Sequence, residues 1–377
     1  MQPDYKIVDA DAHVNPPPTF WSEYLPAHLR ELAPRIEHDE ECDWVVFEGK
    51  RKKVNLIGAQ AGREGKDFKM HGRLSDARSG GWMPGERLKD MDTDHIHAAV
   101  LFGGGPLGSS NPELYRASFD AYNRWVADFC SHDPKRLLGV GYVPMQGVDE
   151  SIAMVRDMHK RGIKAVNIPA FPQSFTPVVS GGQMLALTGD PNGPRQYSDA
   201  EFDPFWQTVI ELGMPVTIHL GARGARFEQK DKFLPDLLMT KLTMAEPIAI
   251  LIYAGVFQRF PDLKFVSVES GVGWFAFAAN YMDNTWKKQR HWVNSPLTEM
   301  PSFYMDRNVY GSFINDPVGV SLRHWPGAKN IMWSSDYPHS ETTFPHSLEV
   351  IAHNFEGVPE EEKQWMISGC AGKLFGL

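Results

Sequence analysis

The sequence predicts an α/β fold, a single (β/α)8 barrel of the TIM type that spans residues 1–377 and carries a long insertion after its first strand. Eight short apolar runs alternate with helical segments. This alternation is typical of parallel βα units, and eight such units favour a closed barrel over an open sheet. Metal-ligand residue types stand at or next to the ends of four runs, at Asp11 with His13, His219, Glu269 and Asp336. Because the carboxyl ends of barrel strands share one face, these four ends are predicted to meet.

The eight strands are predicted from β-branched and other apolar runs bounded by polar or glycine-containing segments. They comprise residues 7–11, 98–102, 137–143, 165–168, 215–219, 265–269, 309–313 and 331–336. The helical spacing of Leu88, Met91 and Ile96 predicts a helix before the second strand, and residues 149–160 are predicted to form the helix before the fourth.

Two connections are long for a compact barrel. About residues 21–84 form the insertion, which contains a predicted β-hairpin over 44–54 with its turn at Glu48-Gly49-Lys50. Residues 174–194 are rich in glycine, serine and proline and form the second long loop. Long loops in compact domains are often lids or subunit contacts, so at least one of the two is predicted to be buried against another subunit of a homo-oligomer.

Composition excludes several classes of protein. A net charge of -9 without a basic stripe argues against a nucleic-acid partner. The longest apolar run, 248–257, is too short to span a membrane, and the N-terminus lacks the apolar region of a secretory signal. The three cysteines have no C-x-x-C spacing, which argues against a disulfide framework or a cysteine metal site and favours a reducing cytoplasm.

The strand ends predict a metal site. Asp11 and His13 are two residues apart at the end of the first predicted strand, so they point to the same side. His219 ends the fifth strand and Asp336 the eighth. Each residue alone is commonly a turn former or a hydrogen-bonded side chain, but their joint placement predicts that they hold a divalent ion. Two carboxylates and two imidazoles suit Zn²⁺, Mn²⁺ or Fe²⁺ without selecting among them.

Five motifs carry a resemblance to a known family. They are Val8-Asp9-Ala10-Asp11-Ala12-His13, Arg87-Leu88-Lys89-Asp90-Met91-Asp92, Ile218-His219, Phe260-Pro261-Asp262-Leu263-Lys264-Phe265 and Ser335-Asp336-Tyr337-Pro338-His339. With these motifs the chain resembles the amidohydrolase superfamily, and within it the branch that includes aminocarboxymuconate semialdehyde decarboxylase and γ-resorcylate decarboxylase. The resemblance implies a metal-dependent enzyme in which Asp11, His13, His219 and Asp336 bind one divalent ion, with Asp11 standing where relatives carry His or Glu.

The sequence departs from the decarboxylase pattern at strand six, where those relatives place a histidine and this chain has Glu269. A glutamate can transfer protons if burial raises its pKa, or it can bind or bridge metal. Glu269 and Asp336 are therefore the candidate catalytic residues, with Asp336 expected to orient a water as well as bind the ion. Strand four ends at Asn167-Ile168-Pro169 without a lysine to be carboxylated, which argues against the usual binuclear hydrolase.

Candidate substrate contacts follow two of the strand ends. Arg223 and Arg226 lie in the loop that directly follows His219, and either can clamp a carboxylate. His339 can contact the substrate or bind a further metal. Trp274 can wall an aromatic pocket, as can Trp21 and Phe171, although tryptophans are more often core or subunit contacts.

Three functions remain open at this point. The first is a metal-dependent hydrolase or non-oxidative decarboxylase of a small carboxylated compound, aromatic ones included. The second is a binuclear enzyme, hydrolytic or oxygen-activating, in which Glu269 and His339 hold a second metal. The third is a barrel subunit whose main role is assembly with a related chain in a hetero-oligomer.

Overall fold

The computed structural model describes residues 6–172, 195–220 and 233–377. Eleven strands lie in these ranges and form two sheets. The strands are β1 (Ile7–Val14), β2 (Arg35–His38), β3 (Asp43–Phe47), β4 (Lys50–Lys53), β5 (Ile96–Gly103), β6 (Leu137–Tyr142), β7 (Ala165–Asn167), β8 (Val216–His219), β9 (Phe265–Val268), β10 (Val309–Phe313) and β11 (Ile331–Trp333). Eight of them form one parallel sheet in the order β1-β5-β6-β7-β8-β9-β10-β11, and the other three form a small antiparallel sheet in the order β2-β3-β4.

Helices follow most of the barrel strands and cover the outside of the parallel sheet. The α-helices are Phe20–Tyr24, Pro84–Thr93, Pro112–Cys130, Val148–Lys160, Asp203–Glu211, Phe233–Leu242, Ala245–Tyr253, Val256–Arg259, Gly273–Gln289, Pro301–Asn308, Pro317–Ser321, Ser347–Asn354, Glu360–Gln364 and Cys370–Phe375, and one π-helical turn spans Trp365–Gly369. No helix in the described part of the chain is both long and apolar enough to cross a membrane.

The barrel strands are apolar because both of their faces are buried, one against the helices and one inside the barrel. Every residue of β1 is buried. The barrel closes between β1 and the segment after β11, where Asp336 N donates to Asp11 O at 3.0 Å and His13 N donates to Tyr337 O at 2.5 Å. The Asp9 carboxylate strengthens this seam by accepting a hydrogen bond from Ser335 N at 2.9 Å. The predicted (β/α)8 barrel is confirmed.

The region between β1 and β5 contains the small sheet. Its hairpin turns on two residues, Glu48 and Gly49, whose φ angles of 46° and 72° are those of a type I′ turn. The Glu48 carboxylate accepts hydrogen bonds from Ser109 Oγ at 2.7 Å and Ser110 N at 2.8 Å. These bonds attach the tip of the hairpin to the loop after β5, so the insertion folds back onto the barrel.

Several elements differ from the sequence prediction. The hairpin has a third strand, β2, which is short and partly exposed and so lacks an apolar signal. The helix before β5 ends at Thr93, and Ile96 begins the strand, because His95 with φ of 62° reverses the chain. Strand β11 ends at Trp333, so Asp336 lies in the turn that follows it.

Candidate metal centre

Five side chains from four strand ends converge at one mouth of the barrel. Asp11 and His13 lie in β1, His219 is the last residue of β8, Glu269 directly follows β9, and Asp336 follows β11. His13 Nε2 lies 3.4 Å from Asp11 Oδ1 and 3.0 Å from Asp336 Oδ1. His219 Nε2 lies 3.3 Å from Asp11 Oδ1 and 3.5 Å from Glu269 Oε2. The structure therefore brings together the residues that the sequence places at separate strand ends.

The backbone turns sharply at two of these positions. Glu269 and Asp336 have φ of 57° and 56°, in the left-handed region that residues other than glycine rarely adopt. Each backbone is held by a hydrogen bond to a neighbouring strand, from Glu269 N to Ser312 Oγ at 2.8 Å and from Asp336 N to Asp11 O at 3.0 Å. Strain of this kind persists where the surrounding structure imposes it, and it is common at functional sites.

Six buried ligand atoms in this cluster make no hydrogen bond of acceptable geometry with the described residues, although some of them lie 3.0–3.4 Å from one another. They are Asp11 Oδ1 and Oδ2, His13 Nε2, His219 Nε2, and Asp336 Oδ1 and Oδ2. Buried polar atoms are almost always paired, and an unpaired buried carboxylate is costly. Carboxylate oxygens and imidazole nitrogens are ligands that a divalent cation accepts, so the chemistry of the donor set fits a metal ion.

The spacing of the donor atoms also fits an ion. Two overlapping sets of four residues each offer ligand atoms that lie within 4.8 Å of one another. The sets are Asp11, His13, His219 and Glu269, and His13, Glu269, Asp336 and His339. Ligand bonds of about 2.0–2.2 Å place atoms on opposite sides of an ion about 4 Å apart, so either set has the size of a metal site.

Burial and charge set the protonation of the cluster. Burial, together with the nearby His339, lowers the pKa of His13 to about 4, so the imidazole is neutral as a metal ligand requires. Burial raises the pKa of Glu269 well above its ordinary value, and the charges of Asp336 and Asp11 raise it further. For Asp336, burial alone raises the pKa, but the neighbouring His339 and His13 outweigh it and hold the pKa well below the ordinary range.

His339 forms the solvent side of the centre. Its ring stacks on His13 with 3.6 Å between ring centroids, and its Nδ1 lies 3.1 Å from Asp336 Oδ1. Gly58 of the insertion lies against the other edge of the ring, and a Cβ added at Gly58 would come within 3.3 Å of His339 Nε2. Asn15 Nδ2 donates to Gly58 O at 2.8 Å and holds it there. The insertion thus supplies part of the wall of the site.

The predicted substrate contacts have different outcomes. Arg223, Arg226 and the loop 174–194 lie outside the described residues. Trp274 donates its indole N–H to Ser270 O at 3.2 Å and packs edge-on against Phe275, which places it against the core. Trp21 packs on Phe20 with 4.2 Å between ring centroids, also against the core. A substrate contact by Trp274 stays a prediction.

The sequence did not predict one charged residue at the centre. Lys241, in the helix Phe233–Leu242, places its Nζ 3.7 Å from Glu269 Oε1 and 2.9 Å from Glu341 Oε2. No motif marks this lysine, which is surrounded in the sequence by Leu237, Leu238, Met239 and Leu242. A single lysine among apolar helix residues is the only available signal, and such a lysine is usually at the surface.

A second missed feature lies behind β1. The buried guanidinium of Arg87 donates to His13 O and to Gly80 O, and it lies 4.1 Å from the ring centroid of Tyr337. Tyr337 in turn donates to Asp90, which is paired with Arg78. This network fixes the backbone of His13 and the turn that carries Asp336.

Comparison with known proteins finds a matching family and a curated relative. A profile of the amidohydrolase family matches residues 8–377. The chain is 25% identical over 306 residues to 2-amino-3-carboxymuconate-6-semialdehyde decarboxylase of Dictyostelium discoideum, covering 78% of this chain and 77% of the relative.

Solved structures show the same fold. An amidohydrolase from Mycobacterium avium subsp. paratuberculosis has a TM-score of 0.77 at 20% identity, with 100% of both chains covered. A dihydroxybenzoic acid decarboxylase from Polaromonas sp., solved with bound manganese and the inhibitor 2-nitroresorcinol, has a TM-score of 0.64 at 17% identity, covering 99% of this chain and 97% of the other.

Proposed function

The chain belongs to the amidohydrolase family, and on that premise we propose that it is a metal-dependent enzyme that decarboxylates a small carboxylated aromatic compound without oxidation. The observation that carries the proposal is the set of six unpartnered ligand atoms at the barrel mouth, in a chain whose relatives include decarboxylases. Hydrolysis is the alternative that the family name keeps open. We propose that residues 1–377 act as one catalytic domain with an insertion over about 21–84.

We propose that Asp11, His13, His219 and Asp336 bind one divalent ion. A bound divalent ion offsets negative charge on substrate oxygens and so supplies electrostatic stabilisation. Manganese is our first choice because it is bound in the Polaromonas relative, and Zn²⁺ and Fe²⁺ suit the same ligands. Because His13 is already neutral, its imidazole can bind the ion without first releasing a proton.

The remaining chemistry is proton transfer. When the bond between the ring carbon and the carboxylate breaks, carbon dioxide leaves and the electron pair stays on the carbon, which must then take one proton. We propose that Glu269 delivers this proton, because its carboxyl group lies at the end of β9 and reaches within 3.5 Å of His219 Nε2. Asp336 is proposed to orient a water or the substrate, and His339 and Arg223 are proposed to contact the substrate.

Substitution of Glu269 tests the proposal. Protein purified from manganese-supplemented medium is screened with hydroxylated benzoates for release of carbon dioxide, with metal content measured in parallel. Glu269→Gln keeps the shape but removes the proton donor, so kcat is expected to fall at least about 100-fold with the metal retained. Glu113→Gln is the matched control, because Glu113 is exposed and pairs only with the exposed His28 among the described charged groups.

Two outcomes would contradict the proposal. Full metal content with no carbon dioxide release from any benzoate, together with cleavage of amides or lactones, would make the protein a hydrolase. Near-wild-type turnover by Glu269→Gln would remove Glu269 from proton transfer.

We also propose that the protein assembles as a homo-oligomer in the cytoplasm. Large apolar side chains on two helices are exposed, which supports an interface between copies. The three cysteines, Cys42, Cys130 and Cys370, are buried free thiols, which suits a reducing compartment. Recovery of a second, related chain on native purification would favour the hetero-oligomer instead.

A further inference from the structure

Lys241 links the metal centre to a carboxylate outside it. Its side chain is 21% exposed and stands in the last turn of the helix Phe233–Leu242. The ammonium lies 2.9 Å from Glu341 Oε2 and 3.7 Å from Glu269 Oε1, and it donates to Glu269 O at 3.4 Å. Three oxygens therefore converge on one ammonium group at the edge of the site.

The two oxygens of Glu269 face different partners. Oε2 lies 3.5 Å from His219 Nε2 and 3.9 Å from His13 Nε2, on the side of the metal ligands. Oε1 faces the Lys241 ammonium. The carboxylate thus bridges the ligand cluster and the lysine, as a carboxylate can bridge two metal ions in a binuclear site.

Counting formal charges shows what the lysine contributes. Asp11 and Asp336 bring two negative charges into the buried cluster, and Glu269 brings a third once it has given up its proton. One divalent ion supplies two positive charges, and the Lys241 ammonium supplies one more, which it shares between Glu269 and Glu341. Because an uncompensated buried charge is costly, the ammonium stabilises the negative charge that one ion leaves on Glu269. A second divalent ion beside Glu269 would meet the ammonium as a like charge.

We propose that Lys241 takes the place of a second metal ion. It orients Glu269 toward the metal ligands and limits the centre to one divalent ion. The inference rests on the metal centre of the proposed function but not on decarboxylation, so metal binding alone tests it. It also separates the mononuclear site from the binuclear alternative in which Glu269 and His339 would hold a second ion.

The experiment titrates Mn²⁺ into chelator-stripped protein by calorimetry and records the Mn²⁺ electron paramagnetic resonance spectrum. Wild type and Lys241→Arg are expected to bind one equivalent and to show the spectrum of isolated Mn²⁺. Lys241→Ala removes the cation while keeping a good helix residue, so it is expected to bind two equivalents and to show a broadened, spin-coupled spectrum. Ethylammonium added to Lys241→Ala is expected to suppress the second equivalent.

Lys329→Ala is the matched control, because Lys329 forms an ion pair of 3.0 Å with Asp306 ahead of β11, away from the centre. It is expected to bind one equivalent. If Lys241→Ala does not fold by circular dichroism, Lys241→Met, which keeps most of the side-chain stem, provides the same readout.

Three results would overturn the inference. A neutral Lys241 variant that folds and binds one equivalent with wild-type affinity and spectrum would show that the ammonium does not limit the stoichiometry. A wild-type protein that binds two equivalents would likewise show that the ammonium does not limit the stoichiometry. Wild type that binds no Mn²⁺, Zn²⁺ or Fe²⁺ would overturn the metal centre itself, which is a failure distinct from that of Lys241.

Discussion

At the scale of single residues, the candidate ligands were predictable and their surroundings were not. Asp11, His13, His219 and Asp336 stand out because polar residues are unexpected where apolar strands end. Lys241 gives no such signal, because it lies on a helix 28 residues before Glu269 and meets it only in the folded barrel. The contacts of the Glu269 carboxylate, with imidazoles on one side and an ammonium on the other, likewise arise only in the folded protein.

His219 tests the ligand set directly. Its Nε2 is buried without a hydrogen-bond partner in the described structure, so its main contribution there is expected to be to the metal. His219→Ala should weaken Mn²⁺ binding more than about 100-fold, since even changes beyond the ligands cost 10- to 100-fold in affinity. Calorimetric titration measures this, with the exposed His28→Ala as the control. Unchanged metal content would remove His219 from the site.

At the scale of elements, the barrel strands follow from apolar runs, whereas the ends that carry the site depend on contacts between strands. The left-handed turns at Glu269 and Asp336 are set by hydrogen bonds to Ser312 and Asp11, which no local pattern reveals. The short strand β2 was missed because a partly exposed edge strand lacks an apolar signal. Most residues of the network that links Arg78 to Tyr337 lie in motifs quoted from the sequence, but the sequence alone assigns them no role.

Asp90 tests that network through its pH dependence. Although burial raises the pKa of Asp90, hydrogen bonds from Arg78 and Tyr337 lower it below the ordinary value. A lowered folded-state pKa means that the ionised carboxylate stabilises the fold above the unfolded pKa of about 3.9, and this stability is lost as pH falls through the folded pKa.

Asp90→Asn should therefore lower the free energy of unfolding by about 2 kcal/mol at pH 7. This is less than for a fully buried ion pair, because the Arg78 side chain is 36% exposed. Calorimetric melting at several pH values should show the difference from wild type shrinking below about pH 4. Asp92→Asn is the control, since Asp92 is 66% exposed in its pair with Arg136. An equal difference at pH 7 and pH 3 would contradict the role of the ionised carboxylate.

At the scale of the whole molecule, assembly is the property least accessible from the sequence, because exposure depends on how the helices pack around the barrel. The helix Phe233–Leu242 exposes Leu234 and Leu238 by 74% and 58%, and these residues, four apart, share one side of the helix. The helix Gly273–Gln289 exposes Phe277 and Tyr281 by 71% and 62%, with their rings stacked. Monomeric proteins rarely leave large apolar patches in water.

We therefore expect sedimentation at micromolar concentration to show a dimer or a larger homo-oligomer. Leu238→Glu and Phe277→Glu should each shift the protein toward monomer, because a buried charge without a partner is costly at an interface. Val318→Glu, an exposed apolar position on the separate helix Pro317–Ser321, is the control and should leave the assembly intact. A wild-type protein that sediments only as a monomer would contradict both this interface and the expectation that the insertion or the loop 174–194 is buried against another subunit.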